Sequence, residues 1–192
     1  MNPKHIACIV LASGLSNRFG PTEKLEAILC GKPVLVHVLE TAASLDFGQV
    51  FVVSRRAIPT EHQVIINDEP ERGQGHSLRL GVRAAREAGW ETICVLLGDM
   101  PLVTRHHIGN LIQVCQPRKS VVSDLAGCRM PPAVFEKTAL SKILESESGL
   151  GARAVFDAFA LEHIPIPREQ ALDVDTSEDF DRVSAIMKTR LR

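Results

Sequence analysis

The chain has 192 residues, of which 45% are hydrophobic and 23% are charged, and its formal net charge is −1. This length predicts one domain, residues 1–192, with enough chain to bury a substantial core. The near-neutral charge gives no general attraction for nucleic acid or for an anionic membrane, and no apolar stretch approaches the roughly 20 residues that span a bilayer. The apolar run near the N-terminus is too short for a signal peptide, so we expect a cytoplasmic protein.

Strand-like and helix-like stretches alternate along the chain. An apolar run without period-2 alternation at residues 6–11 predicts a fully buried first strand. Further strands are predicted at residues 49–54, 63–66, 91–97, 120–123, the start of 134–144, and 161–166, the last at an edge. Helices are predicted at residues 33–45, 74–88 and 152–159, and in the part of 134–144 that follows the strand. Two more helices are predicted to begin after the capping residues Thr104 and Ser177. Residues 124–132 are predicted to form a loop, because Pro131 and Pro132 interrupt regular structure.

This alternation is typical of βαβ units and predicts an α/β fold with a mostly parallel sheet that helices cover on both faces. In open sheets of this kind, ligands bind beyond the carboxyl ends of the strands. The loops at residues 12–24, 67–77 and 98–101 all follow predicted strands at that edge. We therefore expect the side chains of these three loops to converge.

The first of these loops has a composition that suits a polyphosphate. It holds Gly14, Ser16, Arg18, Gly20 and Lys24. Backbone N–H groups approach phosphate oxygens closely where glycine leaves room, and the two cations neutralise negative charge. The loop matches neither the G-x-x-x-x-G-K-[ST] phosphate loop nor the G-x-G-x-x-G dinucleotide fingerprint.

Two acidic segments are candidates for a metal site. Asp99 directly follows a buried strand and faces the polyphosphate loop, and Mg²⁺ prefers one or two carboxylates together with phosphate oxygens. Asp173 and Asp175 point the same way if their segment is extended, and the spacing does not choose between them. The alternative is that Asp99 belongs to an ordinary turn and that residues 173–176 only lead into the last helix.

A third segment, residues 73–77, opens a helix with two glycines and Ser77. The glycines permit close backbone approach, and the N-terminus of a helix attracts anions or ring carbonyls. A glycine-rich helix entry without a ligand is the alternative. The chain contains neither an H-E-x-x-H motif nor a G-x-S-x-G elbow, which disfavours a zinc peptidase and a serine hydrolase.

Taken in order, these segments resemble the signatures of the MobA-like nucleotidyltransferases. Residues 11–24, LASGLSNRFGPTEK, resemble the family's L-A-[AG]-G-x-S-x-R-[MF]-G-x(2,3)-K. Residues 73–78 resemble its base-recognition loop, and residues 97–103, LGDMPLV, resemble its metal motif L-x-D-x-P-x-[VL]. Residues 173–179, DVDTSED, resemble D-[IV]-D-T-[PS]-E-D, so that the resemblance covers residues 6–180.

The resemblance implies a Rossmann-like three-layer α/β/α sandwich of the nucleotide-diphospho-sugar transferase type, and a Mg²⁺-dependent transfer of a nucleoside monophosphate. The residues that would bind the nucleotide are Leu11, Ala12, Ser13, Gly14, Arg18, Lys24, Gly73 and Ser77. The residues that would carry catalysis are Arg18, Lys24 and Asp99. The residues that would bind the metal are Asp99, Asp173 and Asp175.

Within the family, the sequence is most similar to the molybdenum cofactor cytidylyltransferases, through the G-x-x-x-S spacing at 73–77, Gly-Ala-Arg at 151–153 and D-x-D-T at 173–176. This branch implies CTP and a phosphorylated pterin-type acceptor as substrates, and a recipient molybdoenzyme as a partner. One residue and two segments depart from the pattern of this branch. Ser13 stands where CTP users carry Ala and GTP users carry Gly, and the acceptor segments at 129–132 and 148–153 read RMPP and SGLGAR.

Three alternatives stay open at this point. The first is a nucleotidyltransferase that uses GTP or another phosphorylated acceptor. The second is a nucleotide-sugar-dependent glycosyltransferase, although residues 98–101 lack the second acid of the expected D-x-D. The third is a non-catalytic chaperone that holds a pterin cofactor and delivers it to an enzyme.

Overall fold

The structure is a computed structural model that describes residues 1–16, 18–19, 23–145 and 161–190. The helix predicted at 152–159 and the acceptor segment at 148–153 lie outside the described residues, as does Gly20 of the first loop.

Within the described part of the chain, seven strands form one sheet in the order β5-β4-β1-β6-β8-β7-β9, and β2 and β3 form a separate hairpin. The strands are β1 (Ala7–Ala12), β2 (Ile28–Leu29), β3 (Lys32–Pro33), β4 (Gln49–Ser54), β5 (Gln63–Ile66), β6 (Ile93–Leu97), β7 (Val121–Leu125), β8 (Cys128–Phe135) and β9 (Glu162–Pro165). The pairs β1–β4, β1–β6, β4–β5 and β7–β9 are parallel, whereas β8 is antiparallel to both of its neighbours. The predicted mostly parallel sheet and the edge position of the last strand are confirmed.

Helices flank both faces of this sheet. They are α1 (Val34–Ala43), α2 (Gln74–Glu87), α3 (Arg105–Val114), α4 (Lys137–Glu145) and α5 (Ser177–Arg190). None of the helices in the described ranges combines the length and the hydrophobicity that crossing a lipid bilayer requires.

The central strand β1 is buried along its whole length because helices pack on both of its faces. Its residues Cys8 and Val10 belong to the core that contains the apolar side of α1, and Ile9 belongs to the core that contains the apolar side of α2. Gly81 of α2 lies so close to β1 that a Cβ atom there would be 2.6 Å from Cγ2 of Ile9. This packing holds the carboxyl end of β1 between the N-terminal ends of its flanking helices.

The predicted loop at 124–132 is wrong, because β7 and β8 form a hairpin through this segment. The pairing shifts register beside the prolines: Val122 pairs with Ala133, whereas Ser123 pairs with Met130. Pro131 and Pro132 occupy the resulting bulge, where a strand needs no N–H group for the ladder. The prolines therefore mark an irregularity inside a strand and not its end.

Two helix caps also test the sequence predictions. The Thr104 cap is confirmed, since its hydroxyl accepts a hydrogen bond from the backbone N–H of His107 at 3.3 Å. The Ser177 cap is wrong by one residue, because Ser177 is already helical and Thr176 caps α5. The Thr176 hydroxyl accepts from the N–H of Asp179 at 3.1 Å, and the Asp179 carboxylate accepts from the N–H of Thr176 at 2.9 Å. This reciprocal capping box fixes the backbone immediately after Asp175.

Candidate functional site

The three loops that the sequence placed at the carboxyl edge of the sheet do converge there, around a cavity of about 270 Å³. The predicted site residues that line this cavity are Leu11, Ala12, Ser13, Gly14, Lys24, Gly73, Ser77 and Asp99. Asp175 joins them through its ion pair with Lys24, and Arg18 joins them through its ion pair with Asp175. The roles of these residues in binding and catalysis remain predictions, but their convergence is a feature of the structure.

Four ionised side chains form one connected group, which we call the charged cluster: Arg18, Lys24, Asp99 and Asp175. Lys24 Nζ donates to Asp99 Oδ2 and to Asp175 Oδ1, each at 2.6 Å. The other oxygen of Asp175 accepts from Arg18 Nη2 at 2.7 Å. The Lys24 side chain is only 7% exposed, whereas the Arg18 side chain is 76% exposed. One cation is therefore held inside the edge of the sheet and the other reaches from solvent.

The two carboxylates keep Lys24 protonated. Burial by itself lowers the pKa of a lysine, but the negative charges of Asp99 and Asp175 and their hydrogen bonds outweigh burial and raise the pKa of Lys24 above its ordinary value. The side chain is thus an ammonium ion throughout the neutral pH range. Such a group can offer a ligand a fixed positive charge, and it holds its proton too firmly to serve as a general base.

Backbone hydrogen bonds tie the two acidic segments together. The N–H of Gly98 donates to the carbonyl of Leu11 at 2.8 Å, which fixes the chain just before Asp99 against the end of β1. A Cβ atom on Gly98 would lie 3.2 Å from that carbonyl oxygen. The N–H of Val174 donates to the carbonyl of Asp99 at 2.9 Å, and Val174 is fully buried. Asp173 and Asp175 therefore flank an anchored residue beside Asp99.

The structure distinguishes these two aspartates, which the sequence could not. Asp175 belongs to the charged cluster, whereas Asp173 is exposed to solvent. Partial desolvation of its carboxyl group, followed by the negative charges of Asp99 and Asp175, raises the pKa of Asp173. Its carboxyl group thus lies within electrostatic reach of the other two, whereas Asp175 shares the Lys24 ammonium with Asp99.

The donor set fits a hard divalent cation that also binds phosphate. No group of three or more His, Cys, Asp or Glu side chains arranged to hold a metal occurs in the described ranges. Asp99 and Asp175 nevertheless each place an oxygen on the same nitrogen atom of Lys24, so one cation reaches both carboxylates. Mg²⁺ typically takes one or two protein carboxylates and completes its shell with water and substrate phosphates.

A second group at the same edge carries no charge, and we call it the neutral cluster: Ser13, Asn67 and Ser77. The two hydroxyl oxygens lie 2.6 Å apart. Asn67 Nδ2 donates to Ser13 at 3.3 Å and to Ser77 at 3.1 Å, and Asn67 is completely buried. Asn67 could not be identified from the sequence, because a single Asn after a short apolar run indicates only the end of a strand.

The N-terminus of α2 completes the cavity wall. Gly73 precedes the helix with φ of +80°, a left-handed conformation that favours glycine. In the described structure no side chain caps this helix. The N–H of His76 donates to the carbonyl of Gly73 at 3.1 Å, which leaves the N–H groups of Gln74 and Gly75 for a ligand. Gly73 and Gln74 both line the cavity, which places the positive end of the helix dipole there.

Residues 8–164 match the MobA-like NTP transferase domain. The chain belongs to this family. The chain's class of activity is therefore nucleotidyl transfer, and the resemblance seen in the sequence motifs is confirmed. The cytidylyltransferase branch remains a prediction.

Two curated relatives and one solved structure resemble the chain over most of its length. The purine catabolism protein PucB of Bacillus subtilis is 29% identical and aligns with 97% of this chain and 100% of its own. A probable molybdenum cofactor guanylyltransferase of Aquifex aeolicus is 29% identical over 93% of this chain and 90% of its own. The crystal structure of Rv0371c from Mycobacterium tuberculosis in complex with manganese has a TM-score of 0.71 at 20% identity, covering 94% of this chain and 98% of that chain. Together with the strand order, this likeness confirms the Rossmann-like fold of the nucleotide-diphospho-sugar transferase type.

Proposed function

We propose that residues 1–192 form one cytoplasmic nucleotidyltransferase domain that moves CMP from CTP onto the terminal phosphate of a molybdopterin-type cofactor and releases pyrophosphate. The observation that carries this proposal is the charged cluster at the cavity, in which Lys24 is held between Asp99 and Asp175. A buried ammonium between two carboxylates at the edge of this cavity is suited to a ligand that brings both phosphate and a metal. The substrates are small molecules, and neither nucleic acid nor a membrane takes part.

The nucleotide is proposed to bind along the wall that β1 and α2 share. The backbone of residues 11–14, together with Gly73 and Ser77, holds the base and the ribose. Arg18 and Lys24 hold the triphosphate, whose negative charge they neutralise in part. This placement is supported by the cavity lining, in which the neutral residues and Lys24 occur together.

Mg²⁺ is the proposed metal, and Asp99 with Asp175 or Asp173 would hold it. The manganese complex of Rv0371c supports a divalent metal in a protein of this fold. When bound, the metal supplies positive charge to the triphosphate and to the leaving pyrophosphate. The clustering of the acidic side chains beside Lys24 supports this assignment, since such a site needs few protein ligands.

The transfer itself requires position and charge more than acid–base chemistry. A terminal phosphate oxygen of the acceptor forms a bond to the α-phosphorus, and the bond from that phosphorus to the bridging oxygen breaks as pyrophosphate leaves. The attacking phosphate is already ionised near neutral pH, so no side chain has to remove a proton. Lys24 stays protonated and, with Arg18, stabilises the negative charge that develops.

A second candidate uses GTP in place of CTP. The Aquifex aeolicus relative, a probable molybdenum cofactor guanylyltransferase, favours it, and Ser13 matches neither the Ala of CTP users nor the Gly of GTP users. PucB, a purine catabolism protein, is also a full-length relative. The proposed partner that receives the product is a molybdoenzyme.

The test is pyrophosphate release from CTP, GTP, ATP and UTP, with and without a molybdopterin-type acceptor. We expect release that depends on the acceptor and on Mg²⁺, fastest with CTP, and lost in Lys24→Ala and Asp99→Ala proteins that remain folded. Fastest release with GTP would select the second candidate, and cofactor binding without pyrophosphate release would identify a delivery chaperone. Near wild-type release by Asp99→Ala would show that the metal assignment is wrong.

A further inference from the structure

The orientation of the Asn67 amide is fixed by its surroundings. Its Oδ1 accepts a hydrogen bond from the backbone N–H of Glu69 at 3.1 Å, and a backbone N–H can only donate. The amide nitrogen must therefore face Ser13 and Ser77, and both of its hydrogens are used on the two hydroxyl oxygens. The backbone N–H of Asn67 also donates to the carbonyl of Ser54 at 2.8 Å, which anchors the residue to the end of β4.

The two serines then have two possible arrangements of hydrogen atoms. Each hydroxyl has one hydrogen to donate and two positions that accept, and each already accepts one hydrogen from Asn67. If Ser13 donates across their 2.6 Å contact, Ser77 turns its own hydrogen toward the carbonyl of Gly73 at 3.5 Å, and Ser13 keeps one accepting position. If Ser77 donates instead, Ser13 keeps one hydrogen to give.

Both serines border the cavity in which a ligand would lie. Ser13 and Ser77 both line the cavity, but they are only 5% and 3% exposed, whereas Asn67 is fully buried behind them. Neutral hydroxyls with satisfied partners attract phosphate poorly beside a cluster that contains Lys24 and Arg18. They are suited to the uncharged edge of a base, which offers both N–H donors and carbonyl or ring-nitrogen acceptors.

We propose that Asn67 is a positioning residue for nucleobase recognition, which fixes the Ser13 and Ser77 hydroxyls as one pair that reads the edge of the base. The inference rests on the proposed function, because it requires a nucleoside triphosphate in the cavity. Because the pair has two hydrogen arrangements, Ser13 accepts from a base amino group in one and donates to a base acceptor in the other. Asn67 permits both arrangements, since it donates to each serine in either case.

The test replaces Asn67 while it retains the shape of the side chain. In Asn67→Asp, the carboxylate accepts hydrogens from the serines and gives none, so the pair loses the hydrogen that it offers to a base. Asn67→Leu removes the amide donors without adding a charge. It is the variant to measure if the buried carboxylate of Asn67→Asp prevents that protein from folding. Each protein is titrated with CTP, GTP, ATP and UTP in the presence of Mg²⁺, and separately with inorganic tripolyphosphate. The tripolyphosphate has no base and binds through the charged cluster alone.

We expect the Asn67 variants to weaken binding of the preferred nucleoside triphosphate by about tenfold and to compress the differences among the four nucleotides. Their affinity for tripolyphosphate should equal that of the wild type. Ser123→Ala is the matched control, because Ser123 is a fully buried hydroxyl that bonds to His107 and to the carbonyl of Pro132, in a network outside the cavity lining. It should lower the melting temperature and change neither affinity.

The outcomes separate this inference from the proposed function. If both Asn67 variants bind the four nucleotides with the affinity and preference of the wild type, the positioning role is overturned and the proposed function stays intact. Equal losses of nucleotide and tripolyphosphate affinity would assign Asn67 a purely structural role, which also overturns it. A wild-type protein that binds no nucleoside triphosphate would contradict the proposed function itself.

Discussion

The charged cluster and the neutral cluster share one edge of one sheet, and they are built by opposite means. In the charged cluster, Lys24 lies between two carboxylates, and its links join residues as far apart in sequence as Arg18 and Asp175. In the neutral cluster, Asn67 donates to two hydroxyls, and every link is a hydrogen bond between uncharged groups. The first suits phosphates and a metal, and the second suits a base.

A loss in one cluster should therefore affect the kinetics differently from a loss in the other. Removal of a charge should slow transfer from CTP, GTP, ATP and UTP by a similar factor, because all four nucleotides carry the same triphosphate. Removal of a neutral donor or acceptor should change which nucleotide is preferred.

The largest effect is expected from Lys24→Met. The change removes the buried ammonium that Asp99 and Asp175 share, so the rate of pyrophosphate release should fall by about 100-fold to 1,000-fold with every nucleotide. Initial rates with CTP and GTP measure the loss. Lys32→Met is the matched control, since Lys32 pairs with Glu40 on the exposed surface and should keep the full rate. A loss confined to one nucleotide would contradict the division between the clusters.

A smaller effect is expected from Arg18→Gln. The Arg18 side chain is 76% exposed, so its bond to Asp175 is weakened by solvent and the rate should fall by about tenfold. Dissolved salt screens exposed charges, so the difference between wild type and variant should narrow as ionic strength rises from 0.05 to about 0.5 M. Rates measured across this range provide the test. A constant difference would show that Arg18 acts as a buried charge.

Ser77→Ala should alter preference more than rate. The change removes the hydroxyl that Ser13 and Asn67 contact, so the KM for the preferred nucleotide should rise by about threefold to tenfold. The rate at saturating nucleotide should change little, because the charged cluster is intact. The ratio of kcat/KM values for CTP and GTP is the deciding measurement. Unchanged preference with a reduced kcat would place Ser77 at the reacting phosphates.

The smallest effect on activity is expected from the buried pair of His107 and Ser123, which lies outside the cavity lining. Burial, followed by the neighbouring His106, lowers the pKa of His107, so the folded protein holds it neutral. Its contribution to stability should be fully present above its unfolded pKa of about 6.5 and lost as pH falls through the lower folded value. Urea denaturation of wild type and His107→Gln at several pH values between 5 and 8 gives the free energy of unfolding at each pH. This free energy should rise less steeply with pH in the variant than in the wild type. Equal slopes would mean that His107 is not buried as a neutral ring.

The sequence predicted the charged cluster better than the neutral one. A buried apolar strand followed by an acidic residue is a strong local pattern, and it identified Asp99. Asn67 has no comparable pattern, because its importance comes from partners that only the packing of α2 against β1 brings near. The difference between Asp173 and Asp175 also required the structure, since it depends on the hydrogen bonds that Lys24 and Arg18 donate to Asp175.

The fold was predictable where the hydrophobic periodicity of the sequence was strong. It was less predictable where one or two residues determine whether a strand continues or where a helix begins. The mostly parallel sheet followed from the alternation of strands and helices. The strand through Pro131 and Pro132 was missed, because the bulge that accommodates them depends on the register of β7. The cap of α5 was misplaced from Thr176 to Ser177, since both are good capping residues and only the backbone geometry selects one.

The most direct measurement follows the phosphate atoms of the nucleotide. The wild-type protein is incubated with Mg²⁺, a molybdopterin-type acceptor and CTP labelled in separate reactions at the α-phosphate or at the γ-phosphate. We expect the α-label on the acceptor and the γ-label in pyrophosphate, in equal amounts. Recovery of the γ-label as orthophosphate, or of the α-label only in free CMP, would contradict nucleotidyl transfer to this acceptor.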